Sequence, residues 1–397
     1  MASIKSKVPK LRFKGFSGEW KRDELSKVIN LRNESGNKED FDVDIELENL
    51  VIDKGIIIGD TSIRTQSNSI FKKNDILFGK LRPYLNKWWL ANCDGIKSGE
   101  IWALYPKQGF SNLFIYGYIQ TYQFLKAANL TSGTKMPRAD WSILKEQSIN
   151  FPLLEEQTQI GDFFQKLDQV IELQQHALTQ AQNYKKAMLQ KMFPQKDEKV
   201  PRIRFKGFSG EWNRQRLREY TKLITKGTTP KNQLNTGPVN FVKVENISYG
   251  IIKPNTKISQ EEHENYLRRS KLEENDILFS IAGTLGRVAI VNKSILPANT
   301  NQALSIIRGY NYDTYFLMTI LSGKVVTDYI RKNPTVGAQP NLSLEQIGNL
   351  EVCTPSIQEQ TQIGNFFQQL DKQITEQQNK LTHYQTLKKA MLQRLFI

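Results

Sequence analysis

Between residues 155 and 192 the chain has no proline and a single glycine, Gly161. Its apolar positions Ile160, Phe164, Leu167, Ile171, Leu178, Ala181, Met188 and Met192 step alternately by four and three, with Gln174 and Lys185 in the gaps of the series. That spacing, kept over about five heptads, predicts a long helix with a coiled-coil seam. The seam returns as Ile363, Phe367, Leu370, Ile374, Leu381, Tyr384, Met391 and Leu395, again with polar insertions, Gln377 and Lys388. Glu155 and Glu156 lead the first helix and Lys185, Lys186 and Lys191 trail it, as the helix dipole favours. In the second copy Ser356 and Glu359 form a capping-box pattern. A helix of about 38 residues is roughly 57 Å long at 1.5 Å per residue. Helices that each cover their own globular core would account for the stripe, but not for its length or its matched polar insertions. Two copies in one chain point instead to an antiparallel pair about a pseudo-two-fold axis, acting as a ruler.

The stretches 21–150 and 213–354 carry shorter patterns. Residues 101–105 and 303–307 read as buried strands, and 113–130 and 312–332 as helices, each followed by a Gly/Thr/Pro loop. The expectation is an α+β fold, sheet order open, organised as two duplicated domains at 1–152 and 196–355, with long helices at 153–195 and 356–397.

The duplication is explicit. Val8-Pro-Lys-Leu-Arg-Phe-Lys-Gly-Phe-Ser-Gly-Glu-Trp20 returns at 200–212 with 11 of 13 positions identical, and 154–168 returns at 357–371 with 11 of 15. Lys185-Lys-Ala-Met-Leu-Gln190 returns unchanged at 388–393. The first pair is offset by 192 residues and the others by 203, so the middles hold the same place but differ in length. They also differ in content. Asn74-Asp-Ile-Leu-Phe78 matches Asn275-Asp-Ile-Leu-Phe279, but Gly79-Lys-Leu-Arg-Pro-Tyr84 gives way to Ser280-Ile-Ala-Gly-Thr-Leu285. A shared frame with two distinct centres suits a molecule that reads two different targets.

Composition sharpens this. Over 397 residues, 55 Lys+Arg against 40 Asp+Glu leave a net charge of +15, which favours a polyanionic partner. The mean hydropathy of −0.50 and the lack of a membrane-length apolar run speak against a membrane protein. Two cysteines, Cys93 and Cys353, make neither a disulfide framework nor a four-ligand zinc site. With no secretory signal at the start, the cytoplasm is the expected location. Polar and basic loops in the middles supply candidate DNA contacts, since Arg and Lys reach phosphates and guanine edges and Asn and Gln pair with adenine. They are Lys80, Arg82, Lys87, Lys135 and Arg138 in the first domain. In the second they are Lys226, Thr228, Thr229, Lys231, Arg287, Asn301, Gln302, Gln339 and Asn341.

Motifs for catalysis are missing. There is no P-loop and no Gly-x-Gly-x-x-Gly; Asn333-Pro-Thr-Val336 lacks the second proline and the aromatic residue of an amino-methyltransferase motif. His176, His263 and His383 have no metal-ligand spacing. A non-catalytic chain is expected, with an architectural DNA binder or coiled-coil adaptor indifferent to sequence as the alternative.

The residues that carry a resemblance are the Arg-Phe-Lys-Gly-Phe repeat, Asn74-Asp-Ile-Leu-Phe-Gly-Lys-Leu-Arg-Pro-Tyr84, Ser132-Gly-Thr-Lys-Met-Pro137, Gly227-Thr-Thr-Pro230 and the two Glu-Gln-Thr-Gln-Ile helix starts at 156–160 and 359–363. In their order, repeated twice, the chain resembles the specificity subunit of type I restriction–modification systems over essentially its full length. The resemblance implies two target-recognition domains, each reading half of a bipartite site in double-stranded DNA. It further implies helices that set the spacer and dock two adenine-N6 methyltransferase subunits, with Ile160, Phe164, Leu167, Ile171, Leu178, Ile363, Phe367, Leu370, Ile374 and Leu381 at the pairing or docking seam. Restriction/translocase subunits would complete the complex. S-adenosylmethionine, ATP and Mg would serve those partner subunits, with no cofactor or metal in this chain.

Overall fold

The computed structural model describes residues 7–62, 66–130, 136–195, 198–231, 235–332 and 341–397. Both proline-free stretches are unbroken helices, Leu154–Lys191 and Ile357–Leu395. Each starts two residues after a proline, Pro152 or Pro355, that directly follows a strand. The chain forms two compact units, Met1–Gln174 with Lys380–Ile397, and Gln175–Asn379. Each unit holds one globular domain, the beginning of the long helix that follows it and the end of the other long helix.

In the first unit, strand Lys21–Glu24 runs antiparallel to Ser148–Phe151, so entry into the domain and exit from it lie side by side. Between them an antiparallel four-stranded sheet has the order Ile29–Leu31, Ile101–Pro106, Ile76–Gly79, Trp88–Leu90. A smaller sheet places Gly95–Lys97 between Asp44–Ile45, which is parallel to it, and Ser69–Phe71, which is antiparallel. The second unit repeats the scheme. Asn213–Arg216 pairs with Glu351–Thr354, and the large sheet runs Thr221–Lys226, Leu304–Tyr310, Ile277–Ser280, Val288–Ile290. Its small sheet keeps the parallel pair, Val239–Val242 with Ala298–Thr300, but the third strand, Thr256–Ile258, joins the opposite side of that pair. The variable middles therefore differ in topology as well as in side chains.

The cores are built around aromatic residues. Trp20, Phe78, Phe114, Phe124 and Phe164 are buried in the first unit, with Phe396 from beyond the second long helix wedged among them, 5.1 Å from Phe114 and 5.8 Å from Phe164. The second unit repeats this with Phe193, which follows the first long helix and lies 5.9 Å from Trp212, 5.7 Å from Phe316 and 5.8 Å from Phe367. Each helix end thus closes a core against a helix beginning, and the helices run antiparallel within each unit. Of the seam residues, Ile160, Phe164, Leu167, Leu178, Ile363, Phe367, Leu370, Ile374 and Leu381 are buried and Ile171 is half-buried. Beside the seam Lys388 pairs with Asp168 at 2.6 Å in the first unit, and the repeat-related Lys185 with Asp371 at 2.5 Å in the second. Burial pushes both carboxyls above their usual range, and the lysines partly offset it.

The repeated motifs meet at the helix starts. Arg12 donates from Nε and Nη2 to the Glu156 carboxylate at 2.8 and 2.7 Å, and from Nη1 to the Gly18 carbonyl at 2.5 Å. Arg204 does the same with Glu359, at 2.7 Å twice, and with Gly210 at 2.6 Å. Both carboxylates are almost wholly buried. The next residue, Gln157, accepts from the Ser111 backbone N–H at 3.0 Å and donates to the Pro152 carbonyl at 2.9 Å; Gln360 repeats this with Asp313 and Pro355 at 3.1 and 3.0 Å. The expected capping box at the second helix is therefore only half made. Ser356 accepts from the Glu359 N–H at 3.4 Å, but the Glu359 carboxylate goes to Arg204.

Two expected helices are each divided. Residues 113–130 form Asn112–Tyr118 and Tyr122–Ala128, because the Thr121 hydroxyl accepts from the Phe124 N–H and starts a new helix. Residues 312–332 divide into Thr314–Leu321 and Lys324–Lys332 at Ser322-Gly323. Among the described residues, no helix is long and apolar enough to cross a membrane.

Replacing Arg12 with alanine strands a buried carboxylate and should cost about 3 kcal/mol in denaturant unfolding. The double change Arg12→Met with Glu156→Met should cost clearly less; an equal or larger loss would mean that the pair's charges are not what matters. Gly161→Ala should also destabilise, although alanine favours helix by about 1 kcal/mol. Its added Cβ would sit 2.5 Å from Leu113 Cβ and 2.8 Å from the Phe114 nitrogen. A raised melting temperature for that variant would show that the contact relaxes.

Candidate nucleic-acid interface

In each domain the loops that carry candidate residues gather at one end of the large sheet. In the first domain, the Lys80 N–H donates to the Glu100 carbonyl at 2.9 Å, Leu81 bridges Arg138, and the Arg82 N–H donates to the Pro137 carbonyl at 2.8 Å. In the second, Ala282 bridges Asn341, the Ile281 N–H donates to the Ala303 carbonyl at 2.9 Å, and the Thr228 N–H to the Thr300 carbonyl at 3.0 Å. These matching bridges place Arg138 and Asn341 at equivalent positions. Lys135 and Gln339 lie outside the described residues.

The side chains divide by how they are engaged. Lys80 is half-buried, and Arg82 and Lys226 are exposed; none has a hydrogen bond or ion pair from its side chain among the described residues. Arg82 sits in the left-handed region at φ 52°, which turns the chain sharply after the sheet. Arg138 holds Glu100 through Nε and Nη2 at 2.9–3.2 Å, and this pairing lowers the Glu100 carboxyl below its usual range. Lys87 and Arg287, each just before the last strand of its sheet, face inward. Lys87 donates to the Leu47 carbonyl at 2.7 Å, and Arg287 to those of Val244 and Ile247, both at 3.1 Å. They brace equivalent helical turns, Leu47–Asn49 and Val244–Asn246, and so stand behind the loops.

In the second domain two loops are knitted together. The Thr229 hydroxyl bonds the Gln302 amide oxygen, and the Asn301 side chain accepts from the Ala303 N–H at 3.2 Å. Gly227 lies so close to the Thr300 and Asn301 carbonyls that no side chain fits there, which explains the glycine of Gly227-Thr-Thr-Pro230. Lys231 lies over the Tyr266 ring, 4.5 Å from its centroid.

Sequence reasoning missed the charged pairs at the start of each central strand, the end away from these loops. Asp75 accepts from Arg32 at 2.5 and 3.0 Å and from the Lys72 N–H at 2.9 Å. Asp276 accepts from Arg308 at 2.7 and 2.6 Å and from the Glu273 N–H at 2.7 Å. The aspartates share the repeated Asn-Asp-Ile-Leu-Phe motif, but Arg32 follows the first strand of its sheet and Arg308 lies on the second, so alignment of the halves does not pair them. Glu100 and Lys97 were missed as well; a lysine closing an otherwise apolar strand, Gly95-Ile-Lys97, was the available signal.

Comparison with known proteins agrees with this duplicated design. A family model described as the type I restriction modification DNA specificity domain matches residues 20–183 and again 209–383. The EcoBI type I restriction enzyme specificity subunit of Escherichia coli is 31% identical over 180 residues, 42% of this chain and 36% of the relative. The EcoDI specificity subunit of the same organism is 28% identical over 134 residues, 32% of this chain and 30% of the relative. The matches thus span about a third of the length of these curated relatives. Among solved structures, the type I restriction–modification S subunit from M. genitalium superposes with a TM-score of 0.67 at 16% identity, covering 98% of this chain and 99% of that one. A chain solved in work on complex assembly and conformational transition of the type I R-M system gives 0.52 at 17% identity, covering 94% and 96%. At such identities these likenesses speak for the fold. Matched separately in each of its two halves, the chain belongs to the type I restriction modification DNA specificity domain family.

Proposed function

We propose that this chain is the DNA sequence-specificity subunit of a type I restriction–modification complex. Each globular domain reads one half of a bipartite site, the paired helices set the spacer, and two methyltransferase subunits dock on the shared frame. The observation that carries the reading is the double family match, over two domains that keep their supports and differ in their loops. Lys80, Arg82, Arg138 and Lys226 are the cations offered to DNA, with Thr228, Thr229, Lys231, Asn301, Gln302 and Asn341 as the second domain's polar contacts; Lys87 and Arg287 act from behind. Methylation and cleavage belong to modification and restriction/translocase partners that use S-adenosylmethionine, ATP and Mg, in the cytoplasm. Two half-sites read from one face of DNA would lie about one helical turn apart, roughly 34–36 Å.

A map of modified bases in the host genome tests this. Deleting the gene should remove N6-methyladenine from one bipartite motif, and replacing residues 21–150 with a different recognition domain should change only one half of that motif. An unchanged map beside sequence-indifferent, salt-sensitive DNA binding would favour an architectural binder instead. Inserting whole helical turns into both long helices should lengthen the spacer and leave the half-sites intact; altered half-sites with a fixed spacer would refute the ruler.

A further inference from the structure

Lys97 closes strand Gly95–Lys97, directly before the Ser98–Glu100 turn, whose Glu100 carbonyl accepts from the Lys80 N–H at 2.9 Å. It is only 6% exposed, yet among the described residues its ammonium has no hydrogen bond or ion pair. The charges around it are already engaged. Asp75 is held by Arg32 and the Lys72 N–H, and Glu100 by Arg138. Asp44, on the neighbouring strand, pairs in register with Ile96, and successive residues of a strand face opposite sides. Lys80, at the end of the adjacent sheet, adds a like charge. The amine is pulled down to about 8, first by burial and then by Lys80, with Asp75 opposing.

The frame does not require this charge. In the second domain Thr300 occupies the corresponding place, and its hydroxyl donates to the Val242 carbonyl at 2.9 Å. A lysine buried over most of its length without a counter-charge costs folding stability, even where its nitrogen still touches solvent. Its position near a second lysine, beside the loop cluster, points to an anion that arrives from outside. We propose that Lys97, together with Lys80, forms a recessed site for a single DNA phosphate, peculiar to the first domain. This rests on the DNA reading above.

The sign of the pH dependence follows. A lysine whose amine is more acidic folded than unfolded costs stability below about pH 8, and the cost fades as pH rises toward the unfolded value. A bound phosphate restores the proton, so DNA binding should weaken above pH 8 and be accompanied by proton uptake at pH 8.5.

The test uses the full chain, wild type and Lys97→Met, with a duplex carrying the mapped bipartite motif and a scrambled duplex. Titration calorimetry in buffers of different ionisation enthalpy reads proton uptake, a salt series reads the electrostatic slope, and melting temperature reports folding. The expected result for Lys97→Met is about tenfold weaker binding to both duplexes, with proton uptake abolished. Its salt slope should be smaller by about one and its melting temperature unchanged or raised at pH 7. Lys97→Arg should recover most of the affinity. If Lys97→Met binds as wild type does, or if wild type takes up no proton, the site is refuted. Loss confined to one base pair, with an unchanged salt slope, would make Lys97 a base reader and overturn the phosphate assignment. If wild type binds the scrambled duplex as tightly as the mapped one, the specificity reading fails while the phosphate site stands or falls on Lys97→Met; no binding to either overturns both.

Discussion

Two buried carboxylates, Glu156 and Glu359, hold this architecture in place. Each lies at the start of a long helix with almost no access to water, a position tolerable only when an arginine supplies charge and hydrogen bonds together. Arg12 and Arg204 do so, and because each also grips a glycine carbonyl in its own strap, the chain entering a domain is fixed to the helix leaving it. The neighbouring glutamines extend the tie to the helix packed above. At Gly161 and Gly364 that helix packs so closely that an added Cβ would meet its backbone nitrogens at 2.8 and 3.0 Å. What looks in sequence like a list of short repeated motifs is one joint, made twice.

Above that joint the two domains solve the same problems with different parts. Both place an aspartate at the head of the central strand and neutralise it with a guanidinium, but from different strands. Both brace a short helical turn from behind with a cation, lysine in one and arginine in the other. Both keep a parallel strand pair, yet add the third strand on opposite sides. The supports persist while the loops diverge, which suits a surface whose specificity changes without reopening the core.

The frame was legible because its signals are local and periodic. The seam predicted both long helices, the second to within two residues and the first ending four residues earlier than expected, and the strands at 101–105 and 303–307 appear as Ile101–Pro106 and Leu304–Tyr310. The divided helices escaped notice because Thr121 reads as an ordinary polar residue until its hydroxyl is seen capping Phe124. The capping box at Ser356 was half right, since Glu359 has a stronger use 155 residues away. Among the loop residues, charge alone could not separate Lys87, turned inward onto Leu47, from Arg82, left in water. That distinction depends on which carbonyls come within reach, and only the folded chain sets it.

Phe396 belongs to the core of the domain that is synthesised first. Phe114, Phe164 and Tyr118 await a ring that leaves the ribosome more than two hundred residues later, and the Leu11 N–H awaits the Arg394 carbonyl. At about 5–20 residues per second, the interval before the rings meet is roughly 12–56 s. The upstream domain is thus completed only after the downstream one has been made, and for that time its aromatic core lacks a ring. Loss of Phe396 would therefore be felt in the core of a domain whose packing partners lie 232–282 residues upstream.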